Sequence, residues 1–395
     1  MIRYLKKDEY DTCRPLWQEA FPEDSREFAD YYFNKKLLQS RVLVKEDEAG
    51  RMVTMAHLNP YRVKVGDRTW DLDYIVGVAT AADSRHQGHM RDLLSRMLLD
   101  MHEEGKPFCY LMPASPDIYR PFGFCYIYDQ PARRLRRSAE ERLRREDIRL
   151  DLAPLAGWMN QWLASRWEVY ALRDPAYMKM LQAELDSEKG QVWGWYGPDG
   201  GLEALQAVWG LEKREQRFLY CGRDQWTEPA DDAAPDKPAV MARITDVSAF
   251  MESIALDEEA PCPAMDVKVC IRDPLIPGNN GLWDWRLDRD GSLLKPAVDG
   301  ALLKPAMDGS LLKPAGDAGG AEETAEGDEK ADRERMTPEG TLFSTEVLDI
   351  TVEQLASWLF GYRPFEACMG MEAEELPFWC RYVRPLRGVF LDEVV

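Results

Sequence analysis

Apolar positions change their period several times in the first 130 residues, and each change marks an element. MIRYL opens as a short strand. EYDTCRPLWQEAF and SREFADYYFNKKL space their apolar residues for helices, with Ser25 standing where an N-cap of the second belongs. From Arg41 to Thr80 the pattern turns to strands, broken by turn signals at Glu48-Ala49-Gly50 and Gly66-Asp67. Met90, Leu93, Leu94, Met97, Leu98 and Met101 then recur at i, i+3, i+4, i+7, and Gly105 supplies the stop. PFCYLMP reads as a buried strand, PDIYRPFG as a short helix or turn, and FCYIYDQ as another strand.

The remaining chain divides into two more units on the same reasoning. Residues 131–237 begin with the arginine-rich RRLRRSAEERLRREDIRLDL, where interleaved acids favour a solvated linker or helix face over a nucleic-acid surface. DPAYMKMLQAEL follows as a helix, then QVWGWYG and ALQAVWGLEKREQRFLY as strands. Residues 238–395 start near VMARITDVSAFMESI and continue through strand-like DVKVCIRDPL and GLWDWRL. Thr351-Val352-Glu353-Gln354 is a capping box for a helix ending before Gly361. Within this unit three nine-residue copies, DGSLLKPAV, DGALLKPAM and DGSLLKPAG, carry a proline each. They are too short to pack as a solenoid, so an expanded surface hairpin loop is expected at about 288–337. The alternation of helices and strands gives an α/β (α+β) class in two or three domains, as 395 residues require.

Composition narrows the function classes. The chain is 45% hydrophobic with no apolar run long enough to span a bilayer, and its start carries no signal-peptide block, so a cytoplasmic location is expected. Eight scattered cysteines without a CxxC pair read as reduced thiols. A net charge of -20 disfavours nucleic acid and anionic lipid as partners and would attract polycations, while on charge alone simple solubility is the favoured explanation. Of four histidines, His86 and His89 are three apart, but no Cys, Asp or Glu cluster completes a shell, so no metal is expected.

The chemistry concentrates in SRHQGHM, between the strand DYIVGVAT and the strong helix. Such a loop turns successive amides outward at the positive end of a helix dipole, which suits a pyrophosphate. Gly88 lets a ligand approach the backbone, and Arg85 adds charge. A single glycine and the lack of a GK[ST] exclude a Rossmann fingerprint and a nucleotide P-loop. An ordinary turn remains the alternative on these residues alone.

Arg85-His86-Gln87-Gly88-His89-Met90 resembles the R/Q-x-x-G-x-G/A loop by which GNAT acyltransferases bind the pyrophosphate of coenzyme A. Met90 departs from the pattern, since Gly or Ala stands there in the family. GVATAADSRHQGHMRDLL, PDIYRPFGF, VMARITDV and the ending RGVFLDEVV together resemble the Eis-type (enhanced intracellular survival) N-acetyltransferases. The resemblance implies two tandem GNAT-like domains (1–130 catalytic, 131–237 non-catalytic), a sterol-carrier-protein-like domain (238–395), and a homo-oligomer, a hexamer in that family. It implies acetyl-CoA as donor and an amine acceptor, an aminoglycoside-like molecule, a polyamine or a lysine. Val78, Ala79, Thr80 and Ser115 would join the loop in holding the coenzyme. Tyr119 would be the general acid toward the thiolate, and the terminal carboxylate of Val395 the base. The apolar ending, Val389 to Leu391 with Val394 and Val395, fits a tail held inside. Glu23 and Asp24, between the first two helices, would meet a cationic acceptor. A binding protein that uses the carrier-like domain for an apolar ligand or an acyl-CoA, without catalysis, is the alternative function.

Overall fold

A computed structural model gives the architecture of the chain except residues 151–152, 212, 231–236, 298–333, 339 and 394–395. The N-terminal elements are β1 (Ile2–Tyr4), α1 (Arg14–Ala20), α2 (Arg26–Tyr31), β2 (Arg41–Glu46), β3 (Met52–Val65), β4 (Arg68–Thr80), α3 (His89–Glu103), β5 (Phe108–Leu111), α4 (Pro116–Tyr119) and β6 (Cys125–Gln130). Ser25 caps α2 as its sequence position suggests, its side chain accepting from the Phe28 amide. In α3 the periodic residues Leu93, Leu94, Met97, Leu98 and Met101 are all fully buried against the sheet. Each such burial stabilises by about 1.5–3 kcal/mol, which anchors the helix behind the SRHQGHM loop. Gly105, at φ +67°, ends it.

The middle of the chain supplies β7 (Arg144–Ile148), α5 (Ala153–Ala164), β8 (Val169–Ala171), α6 (Pro175–Ser187), β9 (Gln191–Tyr196), β10 (Leu202–Trp209) and β11 (Glu215–Cys221). These are followed by β12 (Lys237–Ile244), α7 (Val247–Met251), β13 (Ala264–Arg272), β14 (Gly281–Asp288), β15 (Gly291–Pro296), β16 (Glu334–Met336), β17 (Leu342–Thr351), α8 (Val352–Leu359) and β18 (Val389–Phe390). The capping box opening α8 forms as expected, Thr351 and Gln354 satisfying each other's amides.

Three larger sheets result. The first is nine-stranded in the order β1-β2-β3-β4-β5-β12-β6, with β8 added beside β3 and β18 beside β8. The second is β11-β10-β9-β7 and the third β15-β14-β13-β17-β16. The three stretches 1–130, 131–237 and 238–395 therefore interleave. β12 opens the third stretch of sequence, yet lies antiparallel between β5 and β6 of the first sheet. β8, from the middle stretch, pairs with the far half of the long strand β3, and β18 pairs in parallel with β8. The end of the chain is thus drawn into the first sheet.

Two local readings are corrected. The arginine-rich stretch is not one linker or helix face, since Arg144–Ile148 forms the edge strand β7 on β9. Its Arg145 lies over the Trp193 ring at 4.9 Å, so the strand's positive side chains pack on aromatic faces. The first repeat copy is not loop. Its Gly291–Pro296 pairs with β14, because Leu294 turns inward while Leu293 is exposed, and Ser292 accepts from Trp285 Nε1 at 2.9 Å. The second and third copies lie outside the described residues. No helix among the described residues is long and apolar enough to cross a membrane.

Candidate functional site

The strand leading into SRHQGHM is bent by one extra residue. β3 and β4 pair Met55 with Ala79, then His57 with Val76, so Gly77 and Val78 together oppose Ala56. Gly77 has φ +61°, and a Cβ there would come 2.7 Å from the Trp17 ring, so only glycine fits. On its other side β4 meets β5 in parallel at the Tyr74–Tyr110 bridge and not beyond. The strands therefore splay, and Val78, Ala79 and Thr80 have no β5 partner for their backbone groups on that side.

Past Thr80 a short turn, Ala82–Ser84, leads into the loop. Arg85 to Gly88 are exposed and His89 and Met90 half-buried. His86 and Gly88 both adopt left-handed backbone, φ +61° and +80°, and Gly88 is the N-cap of α3. A Cβ on Gly88 would meet nothing within 4 Å, so the space over the loop is open. The loop leads straight into α3, and the first amides of a helix have no acceptor within it by construction. Arg85 folds back, its Nε 3.2 Å from the Thr80 carbonyl. The arrangement offers a row of amides at a positive helix end, with a guanidinium beside it, and suits a phosphate group. Among the described residues no group of three or more His, Cys, Asp or Glu side chains could hold a metal ion.

Tyr119 ends α4, buried against the same core that holds Ile75, Leu94 and Phe124. Burial pushes its phenol up to about 12, so it carries its proton at neutral pH. Ser115, half-buried, is the N-cap residue of α4, but its side chain makes no cap hydrogen bond. Of the two other tyrosines nearby, Tyr128 packs away on Phe390 with ring centroids 5.6 Å apart, and Tyr126 faces the cleft beside Gln354 and Tyr362.

Residues 1–127 match the family model described as Acetyltransferase (GNAT) domain. These residues are thus similar to a GNAT acetyltransferase domain. The enzyme class of that family is acetyltransferase, and the bulge, splay and loop lie within the matched span. No curated protein matches the chain. Solved structures share its fold over the full length at low identity. A probable N-acyltransferase from Enterococcus faecalis V583 has 13% identity and TM-score 0.68, with 99% of each chain covered. A GCN5-related N-acetyltransferase from Kribbella flavida has 16% identity and TM-score 0.67, with 100% of each chain covered. Eis1 from Mycobacterium abscessus has 14% identity and TM-score 0.63, covering 100% of this chain and 99% of its own. What these share with the GNAT domain and the rest of the chain is the fold.

The end of the chain reaches this domain from outside it. After β18, Leu391, Asp392 and Glu393 are buried, while Val395 falls outside the described residues. Arg173, fully buried, gives Nη2 to Asp392 Oδ1 at 2.6 Å and Nη1 to Glu393 Oε1 at 2.7 Å. Arg217 Nη1 donates to the Asp392 carbonyl at 3.0 Å, and the Tyr220 hydroxyl donates to Asp392 Oδ2. Glu393 helps line a cavity of about 130 Å³ together with Lys36, Tyr61, Tyr177, Glu184 and Arg217. Burial pushes Lys36 down to about 8, against the pull of Glu184 and Glu393, and its Nζ donates to the Tyr61 hydroxyl at 2.7 Å.

Glu23 and Asp24 do not line this cavity. Glu23 is exposed, and Asp24 accepts from Trp17 Nε1 at 2.8 Å. Burial raises the Asp24 carboxyl to about 6, with Glu23 and Glu188 adding to the rise and the Trp17 bond opposing it. The cavity residues escaped the sequence because they come from five distant segments. One signal was available: Asp392 and Glu393 are two acids set in an otherwise apolar ending, a place where charge needs a buried partner.

Proposed function

We propose that the protein moves the acetyl group of acetyl-CoA to an amine of a polycationic acceptor by direct attack. The observation that carries this reading is the loop Arg85–Met90 at the start of α3, behind a bulged, splayed strand, inside the span matched to the GNAT family. The pyrophosphate would lie on the loop, and the pantetheine arm along Val78, Ala79 and Thr80, toward Ser115. Tyr119 would protonate the departing thiolate, a role its raised phenol pKa permits. The carboxylate of Val395 would take the amine's proton; the burial of Leu391 to Glu393 supports a chain end held within the protein. A net charge of -20 would gather cationic acceptors.

The same reading extends to the whole chain: a catalytic domain, a second GNAT-like unit at 131–237, a sterol-carrier-like unit at 238–395, and a hexameric assembly in the cytoplasm. Full-length likeness to Eis1 in fold supports that division. Thiol release from acetyl-CoA across a panel of amines tests the function. Tyr119→Phe should lower kcat about 100-fold or more, the usual contribution of general acid catalysis. An unchanged kcat would remove Tyr119 from the mechanism.

A further inference from the structure

The two oxygens of Glu393 have different surroundings. Oε1 accepts from Arg173 Nη1 at 2.7 Å and from the Tyr177 hydroxyl at 3.1 Å. Oε2 is buried and has no hydrogen-bond partner among the described residues. A buried carboxylate oxygen without a donor is costly, and a ligand, a reaction or a bound water must account for it. The other acids near the cavity are committed. Asp392 is held by Arg173 and Tyr220, Glu184 Oε1 accepts from Arg217 Nε at 3.0 Å, and Asp174 caps α6 through the Tyr177 amide.

The cavity already holds a primary amine, that of Lys36, which is 6% exposed and loses its proton more readily than in water. At about 130 Å³ it is smaller than the roughly 300–1,000 Å³ of pockets that enclose a whole small molecule, so it fits one unbranched amino chain end. We propose that Glu393 Oε2 docks the acceptor as a primary ammonium and takes the first of the two protons its nitrogen must lose. The proposal rests on the acetyl-transfer reading above and narrows its acceptor to an extended primary alkylamine, such as a lysyl side chain or a polyamine end.

The step balances. The ammonium gives a proton to the Glu393 carboxylate and becomes a neutral amine. Its lone pair forms the C–N bond at the thioester carbonyl carbon, and the second proton leaves that nitrogen for the terminal carboxylate. The C–S bond breaks with its electron pair on sulfur, which takes a proton from Tyr119. Ammonium and thioester give amide, thiol and one proton released to water.

The groups facing Glu393 set when it is ionised. Arg173 and Asp392 flank it, Tyr177 and Glu184 face it from α6, and Arg217 and Tyr220 from β11. Lys36 stands after α2, Tyr61 on β3, Tyr74 on β4 and Tyr110 on β5. Arg62 and Asp174 also line the cavity, so four cations meet four carboxylates. Burial raises the Glu393 carboxyl above its ordinary range, opposed chiefly by Arg173, so it titrates nearer to neutrality than a free carboxylate does.

The test is the pH dependence of kcat/KM for 1,5-diaminopentane, read by thiol release, in the full-length protein. Glu393→Gln keeps an oxygen for Arg173 and Tyr177. It should lower kcat/KM about 100-fold at pH 7, with the loss shrinking as pH approaches the amine's own pKa and the KM for acetyl-CoA unchanged. A wild-type profile, or a loss equal at every pH, overturns the proposal. Should this variant not fold, Tyr177→Phe answers the same question. Removing a donor from Oε1 raises the Glu393 pKa, so the acidic limb should move to higher pH; an unmoved limb overturns the proposal. If wild-type protein acetylates no amine, the underlying reading fails and the proposal with it. If a residue added after Val395 leaves the rate unchanged, only the terminal-carboxylate role fails, and the Glu393 profile still decides the proposal.

Discussion

The loop from Arg85 to Met90 and the cavity at Glu393 stand at opposite extremes of construction. The loop is exposed from Arg85 to Gly88 and offers backbone amides at the start of α3. The cavity is lined by side chains of five distant segments, which hold each other through buried ion pairs. Backbone donors need only a chain conformation, so a glycine and a helix start suffice. Buried charges need every partner at once, and removing one strands the others. The donor side is therefore tolerant of side-chain change, and the acceptor side is not.

Arg173→Met breaks this comparison most directly. It leaves Asp392 and Glu393 buried without their guanidinium, and should cost about 3–5 kcal/mol of unfolding free energy, read as a lower denaturant midpoint. Arg85→Met on the exposed loop should leave that midpoint within about 0.5 kcal/mol, as surface substitutions do. Equal losses from the two would mean the buried network is no more critical than the loop.

Gly88→Val sharpens the donor half. At φ +80° an L-residue is strained by about 1–2 kcal/mol, and a β-branched one is a clear outlier. The strain should open the loop and raise the KM for acetyl-CoA about 5–30-fold, the factor that energy corresponds to, with kcat little changed. Gly77→Ala is expected to act differently. Its Cβ would press on Trp17 and His57, so melting temperature should fall together with kcat as the bulge shifts. If Gly77→Ala changed only the KM for acetyl-CoA, the bulge would serve the donor alone.

This contrast also explains what the sequence discloses. SRHQGHM is legible because its meaning is local: strand, loop, one glycine, then a helix whose apolar period is unmistakable. Ser25, Gly105 and the Thr351–Gln354 box are legible for the same reason, since caps are read from neighbours. The position of β12 is not. VMARITDV reads as the opening of a new unit, and nothing local tells that it fills the gap between β5 and β6. Glu393 is hidden likewise. Its chemistry comes from Arg173 and Tyr177, more than two hundred residues earlier in the chain. Leu293 and Leu294 show a milder failure, where a repeat with proline suggested loop and an available strand edge made the first copy a strand.

Asp24 lies between the two extremes, half-buried at the turn from α1 to α2, and gives the smallest expected effect. Burial raises its carboxyl to about 6 in the folded chain, above the ordinary aspartate value of about 3.9. A carboxyl raised on folding contributes stability while it is protonated, fully present below the unfolded pKa and lost as pH rises through the folded one. Asn at this site mimics the protonated form and still offers an oxygen to Trp17 Nε1. Asp24→Asn should therefore match the wild type in melting temperature near pH 4, then exceed it increasingly up to pH 7. A docked cationic acceptor would reverse the ordering, because the ionised Asp24 would gain the partner it lacks. A melting-temperature difference that stays constant from pH 4 to 7, and is unmoved by 1,5-diaminopentane, would show that Asp24 titrates as a surface acid. It would then belong with the tolerant, exposed half of the molecule and have no part in holding the amine.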